Sequence, residues 1–144
     1  FGQFGQSAYG AAKMGMLGLM NVLALEGRAH GIRVNCLSPG ADTRMTALDK
    51  EYGIDPSNPR PMSHPKLVTP VALYLSGEGA PTGAVIHGLS GRYLRSEVFA
   101  NRGVNLGSEG TYEDLLDSLD NVMDMSDAAP LGEPGNISLL GDPK

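Results

Sequence analysis

A long apolar helix followed at once by a short apolar strand is the feature that most constrains this fold. Residues 7–30 carry apolar side chains at helical spacing, and Gly31 is typical of the residue that ends a helix. The next segment, IRVNCLS at residues 32–38, predicts a buried strand that ends at Pro39–Gly40. A helix that leads into a buried strand is typical of α/β layer folds, so the sequence predicts that class.

The remaining segments predict a second helix followed by a second strand. Residues 69–76 predict a helix, with Thr69 as its N-cap and Pro70 at its first position, and residues 83–88 predict a second strand. Residues 41–66 are rich in proline and predict a loop, with one helical turn over 45–53 as an option. Residues 111–125 predict a further helix, begun at Ser108 or Thr111, and residues from 128 onward predict an irregular tail.

Two strands are too few for a parallel sheet, which is normally covered by helices on both faces. We therefore expect that the chain pairs with something else or is part of a larger domain. No internal repeat is visible in the sequence.

Composition excludes several classes of protein. The net charge of −5 and the absence of a basic block argue against a nucleic-acid or anionic-membrane surface. The apolar run MGMLGLMNVLAL is broken by Asn21 and is expected to be too short to span a bilayer. The single cysteine, Cys36, excludes an internal disulfide and a multi-cysteine zinc site, and predicts a reducing compartment, by default the cytoplasm. No metal site is expected.

The stretch QSAYGAAK places Tyr9 and Lys13 four residues apart on the predicted helix. At that spacing both side chains can reach one ligand. A cation close to a phenol favours its ionised form, and such a tyrosine can exchange a proton with an alcohol or carbonyl oxygen. The alternative is an ordinary amphipathic helix with an exposed lysine, and the spacing alone favours that alternative because it is common by chance.

The surrounding residues point to a family. The segment GQSAYGAAKMGMLGLMNVLALEGRAHGIRVNCLSPG resembles the catalytic helix and following strand of the short-chain dehydrogenase/reductases. Within that family, FGQFGQSAY, LALEGRAHGIRVN and PGADTRMT are most similar to the (3R)-hydroxyacyl-CoA dehydrogenase part of peroxisomal multifunctional enzymes and its bacterial relatives. The segment TYEDLLDSLDNVMDMSDA resembles the C-terminal extension of those bacterial relatives.

The resemblance implies a Rossmann-like doubly wound parallel sheet, NAD or NADP as cofactor, and interconversion of a secondary alcohol and a ketone, with 3-hydroxyacyl-CoA and 3-ketoacyl-CoA as a candidate pair. Tyr9 would be the general acid/base, and Lys13 would bind the nicotinamide ribose. The backbone that approaches the nicotinamide and the groups that hold its carboxamide or phosphates would come from the segment after the strand: Pro39, Gly40, Ala41 and Thr43. That segment is one residue shorter than the commonest family form, which leaves the roles of its last two members open.

The family's glycine-rich dinucleotide loop and its catalytic serine find no match in the sequence, so the resemblance is to the C-terminal half of the fold. Residues 1–106 are expected to be that half and residues 107–144 a helical extension with an irregular tail. Three hypotheses follow: an incomplete fragment that is inactive alone, one half of a split enzyme, or a non-catalytic interaction module. By the same resemblance, the helix 7–30 is expected to join subunits of a homo-oligomer.

Several other residues have two readings. Asn35 either braces the end of the strand or touches a ligand, at even odds. Cys36 is interpreted as a core residue because apolar surroundings disfavour a reactive thiolate. The three histidines (His30, His64 and His87) show no ligand spacing and are interpreted as surface or loop residues. The acidic residues between Glu109 and Asp127 are interpreted as a solvated helix face.

Overall fold

The structure is a computed structural model that describes residues 4–43 and 64–131. The chain forms two compact units, Phe1–Ser96 and Glu97–Lys144, and each is described by itself. The expected division at residues 106 and 107 stays a prediction.

The first helix, α1, spans Ser7–Arg28 and buries a narrow stripe made of Met20, Ala24 and Gly27. It ends two residues earlier than predicted, and Gly31 follows with a positive φ of 67°. The N–H of Ile32 donates to the carbonyl of Gly27 and the N–H of Gly31 to that of Arg28, at 3.0 and 3.1 Å. These two bonds form a Schellman motif, so the predicted glycine stop is confirmed.

The expectation that the apolar segment of α1 is too short to span a bilayer is wrong. The helix has 22 residues and is long and apolar enough to cross a bilayer by length and composition alone, because it extends beyond the short apolar run. A core helix of a soluble domain passes the same criterion. In this chain α1 contacts the strand Cys36–Gly40.

The sheet has three strands within the described residues: β1 (Cys36–Gly40), β2 (Val85–Leu89) and β3 (Arg92–Ser96), in that order. β1 and β2 are parallel, with Cys36 opposite Val85 and Gly40 opposite Leu89. The sequence predicted two of these strands with shifted bounds. β1 begins four residues later than expected and includes Pro39–Gly40 rather than ending before them, because only from Cys36 onward does the chain pair regularly with β2.

The strand that the sequence analysis missed is β3, which pairs antiparallel with β2 through a two-residue turn at Ser90 and Gly91. Both turn residues have positive φ, 49° and 80°. Positive φ at both central positions matches a type I′ turn, whose twist suits a tight hairpin. β3 therefore covers the edge of β2 that two predicted strands would have left bare.

Helices lie on opposite faces of this sheet. On one face, the Cys36 thiol donates to the carbonyl of Met16 in α1, with Sγ 3.7 Å from the oxygen. On the other, Leu37 of β1 lines a small cavity together with Ala72 and Leu75 of α2, which spans Thr69–Ser76. Since neighbouring residues of a strand point to opposite faces, Cys36 and Leu37 define the two sides. Helices on both faces are the arrangement of a doubly wound α/β sheet, as predicted.

The start of α2 differs in detail from the prediction. Its N-cap is Val68 rather than Thr69, and Pro70 lies in its first turn as expected. A 3-10 turn at Pro65–Leu67 precedes it, and the ring nitrogen Nδ1 of His64 accepts from the N–H of Lys66 at 3.1 Å. Most of the predicted loop and the optional helical turn over 45–53 lie outside the described residues.

The second unit contains short elements: β4 (Phe99–Ala100), α3 (Tyr112–Asp117), α4 (Leu119–Met123) and β5 (Ala129–Pro130), with β4 and β5 antiparallel. The single predicted helix is thus two helices with a break at Ser118, whose φ and ψ of −99° and 3° are not helical. Thr111 caps α3 as predicted. Of the predicted tail, residues 129–130 form β5 and residues beyond 131 lie outside the described part.

Candidate active site

Tyr9 and Lys13 lie in the first two turns of α1 and are close to each other. The ammonium nitrogen of Lys13 is 5.5 Å from the centre of the Tyr9 ring. Tyr9 is 60% exposed, so its hydroxyl is open to a ligand. The predicted proximity of the two side chains is therefore present, and the cation lies against the ring at cation–π distance.

Both residues lie on the side of α1 that faces the sheet. Lys13 and Tyr9 precede buried Met20 by seven and eleven residues, which are close to two and three whole helical turns. They therefore extend the stripe made by Met20, Ala24 and Gly27. Where that stripe runs past the first turns of the helix, its side chains change from buried and apolar to exposed and polar.

Two contacts show that the chain after α1 runs back along the helix. Ile32 packs beside Gly27 near the end of the helix, where a β-carbon on residue 27 would lie 2.9 Å from the Ile32 Cβ. Four residues later, the Cys36 thiol touches the carbonyl of Met16, much nearer the start of the helix. Rising residue number along the strand therefore corresponds to falling residue number along α1.

Extending this relation places Pro39 and Gly40 level with the start of α1. Three to four residues of strand beyond Cys36 advance by about 10–13 Å. The same distance along a helix is about seven to nine residues. Counted back from Met16, this reaches the turn that carries Tyr9. By this extrapolation, Tyr9 and Lys13 lie near the edge of the sheet at which β1 ends.

The segment at this edge offers backbone to a ligand. Pro39 is exposed, Gly40 and Ala41 are half-buried, and Thr43 is exposed. In open α/β sheets, ligands bind outside the carboxyl ends of the strands. The spacing along α1 and β1 thus indicates one edge for the predicted site residues on both elements, and residues 44–63 of the proline-rich loop lie outside the described part.

Comparison with known proteins identifies the family of this chain. Residues 1–53 match the short chain dehydrogenase family. The chain is 37% identical over 133 residues to a putative short-chain type dehydrogenase/reductase of Mycobacterium tuberculosis, a match that covers 92% of this chain and 45% of that protein. The chain belongs to the short-chain dehydrogenase/reductase family.

Two further relatives narrow the resemblance within the short-chain dehydrogenases. An acetoacetyl-CoA reductase of Allochromatium vinosum is 41% identical over 90 residues, or 58% of this chain and 37% of that protein. The solved full-length peroxisomal multifunctional enzyme type 2 of Drosophila melanogaster aligns with a TM-score of 0.73 and 31% identity, covering 96% of this chain and 25% of that chain. This chain thus spans less than half the length of each of these relatives.

Asn35 of this chain braces the sheet, which was one of its two interpretations. Its side-chain Nδ2 donates to the carbonyl of Pro81 at 2.7 Å, and its Oδ1 accepts from the N–H of Ala84 at 3.1 Å. Thr82, which the sequence analysis did not single out, accepts from the N–H of Val34 at 3.1 Å. Nothing in the sequence around Thr82 signals this contact, since it joins residues 48 positions apart.

Cys36 and the three histidines were interpreted as residues without a role in the site. Cys36 is half-buried and is not among the buried core residues of the described part, and its partial burial raises the pKa of its thiol. His30 is exposed and His64 caps a turn, as surface and loop residues would. The interpretation of His87 is wrong, because it lies half-buried in β2, where its Nε2 is 2.6 Å from the Ser96 hydroxyl. Within residues 4–43 and 64–131, no three potential metal ligands cluster.

Proposed function

We propose that this chain supplies the catalytic helix and C-terminal half of an NAD(P)-dependent oxidoreductase that interconverts a secondary alcohol and a ketone. The observation that carries the proposal is the proximity of Tyr9 and Lys13 on α1, with the Lys13 ammonium 5.5 Å from the centre of the Tyr9 ring. The spacing along α1 and β1 supports a position of Pro39–Gly40 near this pair. A phenol, a cation and a backbone segment that can line a ligand are the groups that such a reaction requires. Membership of the family supports the same reaction class.

In the proposed site, the Tyr9 hydroxyl donates its proton to the substrate carbonyl oxygen during reduction and takes it back during oxidation. The Lys13 ammonium holds the ribose hydroxyls of the dinucleotide and lies against the Tyr9 ring. The backbone at Pro39 and Gly40 lines the nicotinamide, and Ala41 and Thr43 supply hydrogen-bonding groups beside it. When bound, the nicotinamide provides the hydride that the substrate carbon accepts.

We further propose a 3-ketoacyl-CoA and its 3-hydroxyacyl-CoA as the substrate pair. The support is the resemblance to a protein named acetoacetyl-CoA reductase and to a peroxisomal multifunctional enzyme. These names describe those relatives. The test is to assay the complete protein with acetoacetyl-CoA and with a ketone that lacks the CoA group, using both NADH and NADPH. Preference for the ketone without CoA would contradict this substrate class and leave the reaction type untouched.

The reaction type is tested by Tyr9→Phe in the complete protein, with Tyr74→Phe as the matched control. Tyr74 is an exposed tyrosine on α2, a different helix from the one that carries Tyr9. Because Tyr9→Phe removes the transferable proton and keeps the ring, we expect kcat to fall by about 10²–10⁴-fold. Tyr74→Phe should retain the parent kcat. A Tyr9→Phe enzyme within tenfold of the parent would exclude Tyr9 as the acid/base.

We propose that residues 1–144 alone bind neither NAD(H) nor NADP(H) and do not turn over substrate. In Rossmann-like folds the pyrophosphate is held by a glycine turn between the first strand and a helix, and this sequence contains no such glycine pattern. Titration of the purified chain with NADH and NADPH, followed by fluorescence, should show no saturation. Saturable binding at micromolar concentration would contradict this proposal.

We also propose that α1 is a packed helix of a cytoplasmic oligomer, not a membrane span. The support is its contact with β1 and the apolar residues that it exposes away from the sheet, among them Leu19, Val22 and Leu25. Apolar residues on several sides suit a helix that is covered by its own sheet and by a second subunit. The net charge of −5 disfavours binding to anionic lipid or nucleic acid.

A further inference from the structure

The ladder between β1 and β2 is irregular at its entrance. The carbonyl of Val34 accepts from the N–H of Gly83 at 2.8 Å, and the N–H of Cys36 donates to the carbonyl of Ala84 at 2.9 Å. In a regular parallel ladder, one residue of the neighbouring strand makes both of these bonds. Here Gly83 makes one bond and Ala84 makes the other. The segment that leads into β2 therefore holds one extra residue opposite Asn35.

The extra residue leaves a backbone N–H to be satisfied in a buried place. Ala84 is buried, and its N–H donates to the Oδ1 of Asn35. The other half of the same amide, Nδ2, donates to the carbonyl of Pro81. Only one orientation of the amide satisfies both partners, since one partner is a donor and the other an acceptor. Thr82 completes the step by accepting from the N–H of Val34.

We infer that Asn35 is a positioning residue for the proposed active site: its side-chain amide, assisted by Thr82, fixes the register in which β1 enters the sheet. The regular pairing starts at the next residue, Cys36 opposite Val85, and runs to Gly40 opposite Leu89. Pro39 and Gly40 therefore take their place along the sheet edge from the step that Asn35 closes. This inference rests on the proposed function for its catalytic meaning, and on the hydrogen bonds alone for its structural meaning.

The chemistry of the step explains why asparagine is required. Aspartate would keep the acceptor for Ala84 but turn a second acceptor toward the Pro81 carbonyl. Alanine would leave the buried N–H of Ala84 without a partner, which a buried backbone group rarely tolerates. Without the Asn35 bonds, β1 could instead pair with β2 after a slip of one residue. Such a slip moves β1 by about 3.3 Å and turns its side chains to the opposite face of the sheet. A shift of that size would carry Pro39 and Gly40 away from the level of Tyr9.

The structural part is tested by hydrogen exchange on the complete protein, comparing Asn35→Ala with Val71→Ala. Val71 is a buried residue of α2 and makes no bond at the irregular step, so its truncation is the control for general destabilisation. We expect Asn35→Ala to speed exchange of the amides in residues 36–40 and 85–89 at least tenfold relative to those of α2. Val71→Ala should speed both groups alike. Equal acceleration of both groups in Asn35→Ala would overturn the inference.

The catalytic part is tested by kinetics on the same proteins at a temperature where both are folded. Asn35→Ala should raise the KM for the dinucleotide and lower kcat, each at least tenfold, whereas Val71→Ala should change neither by more than twofold. Parent-like constants in Asn35→Ala, beside an active parent enzyme, would overturn the inference. An inactive parent, or a fully active Tyr9→Phe, would instead refute the proposed function, and hydrogen exchange would still decide the role of Asn35.

A second variant covers the case in which Asn35→Ala does not fold. Thr82→Val removes the acceptor for the Val34 N–H and keeps the shape of the side chain. It should accelerate the same amides of β1 and β2 by a smaller factor and shift KM in the same direction. If the amide exchange rates and the KM of Thr82→Val equal those of the parent, Thr82 does not assist Asn35. If Asn35→Ala also fails to fold, the same result overturns the whole inference.

Discussion

The side chain of Leu89 occupies the space that a β-carbon on residue 40 would need. Gly40 and Leu89 are opposite each other at the end of the parallel ladder, and the blocking atom is a terminal methyl group. Leu89 is 38% exposed, so this methyl can rotate toward solvent. Packing inside the chain therefore does not by itself require glycine at position 40, and an approaching ligand is the better reason for it.

Gly40→Ala separates these two reasons in the complete protein. We expect a loss of stability of no more than about 1 kcal/mol, because a flexible side chain absorbs the added methyl. We expect at least a tenfold rise in the KM for the dinucleotide, because the methyl also stands where the backbone would approach the nicotinamide. Thermal unfolding and steady-state kinetics measure the two effects. A parent-like KM would mean that Gly40 does not line the cofactor.

Gly88 provides the matched comparison, since it lies opposite Pro39 on β2 and is buried. A β-carbon there would lie 2.8 Å from Cγ1 of Val71, which is held in the core. Gly88→Ala should therefore cost about 1–3 kcal/mol of stability through overpacking. At a temperature where the variant is folded, the KM for the dinucleotide should remain near the parent value.

The contact between Gly27 and Ile32 predicts the opposite of what helix propensity predicts. A methyl on residue 27 would meet the Ile32 Cβ at 2.9 Å and the Ile32 carbonyl oxygen at 3.3 Å, and neither atom can rotate away. We expect Gly27→Ala to lower the free energy of unfolding by about 1–3 kcal/mol, although alanine favours a helix by about 1 kcal/mol. Urea denaturation of the chain measures this change, and an unchanged or raised midpoint would contradict it.

The glycines nearer the start of α1 behave differently in the single chain. Around Gly15 and Gly18, an added β-carbon would meet nothing within 4 Å. In a monomer the double variant Gly15→Ala/Gly18→Ala should therefore stabilise the helix by about 1–2 kcal/mol. If α1 packs closely on a second subunit, as proposed, the same methyls should weaken association at least tenfold in sedimentation experiments.

The control for that experiment is Gly79→Ala, which also adds a methyl in open space but lies outside α1. It should leave the association unchanged. Tight oligomers formed by the Gly15→Ala/Gly18→Ala protein would show that this face of α1 is not the interface.

Local signals determined which parts of the fold were predictable. The limits of α1 and α2 follow closely from Gly31 and Pro70, because caps act through neighbouring residues. The bounds of β1 could not be read in the same way, because residues 32–35 alternate apolar and polar as a strand does and only the partner strand decides where pairing begins. β3 had a local signal in Ser90–Gly91, but its arginine-bearing segment RYLRS lacks a clear apolar alternation.

The candidate site divides in the same way. Helical spacing alone brings Tyr9 and Lys13 together, as predicted. Their level relative to Pro39 depends on how the strand packs back along α1, which only the contacts of Ile32 and Cys36 reveal. The hydrogen bonds of Asn35 with Pro81 and Ala84, and of Val34 with Thr82, join segments more than 45 residues apart and have no local signature.

The capping box of α3 predicts a pH dependence in the second unit. The Thr111 hydroxyl and the Thr111 N–H both donate to Oδ2 of Asp114, at 2.6 and 3.0 Å, and Thr111 Oγ1 accepts from the N–H of Asp114 at 3.2 Å. The hydrogen bond from the hydroxyl, and then that from the backbone, hold the pKa of Asp114 below its ordinary value of 3.8. These bonds favour the carboxylate over the protonated acid.

The sign of the effect follows from that lowered pKa. A carboxyl whose folded pKa is lower than its unfolded pKa stabilises the folded form at pH values above the unfolded pKa, and this contribution is lost as the pH falls through the folded pKa. The helical signals of Tyr112–Asp117 should therefore be constant from neutral pH to about pH 4 and weaken below it.

Carbon-detected NMR titration of the Asp114 carboxyl and of the Thr111 amide measures this. In Thr111→Ala, the Asp114 pKa should rise toward its ordinary value, while that of Asp124, which is lowered by Ser126, should not move. An Asp114 titration that is identical in the parent and in Thr111→Ala would show that the capping box does not form in solution.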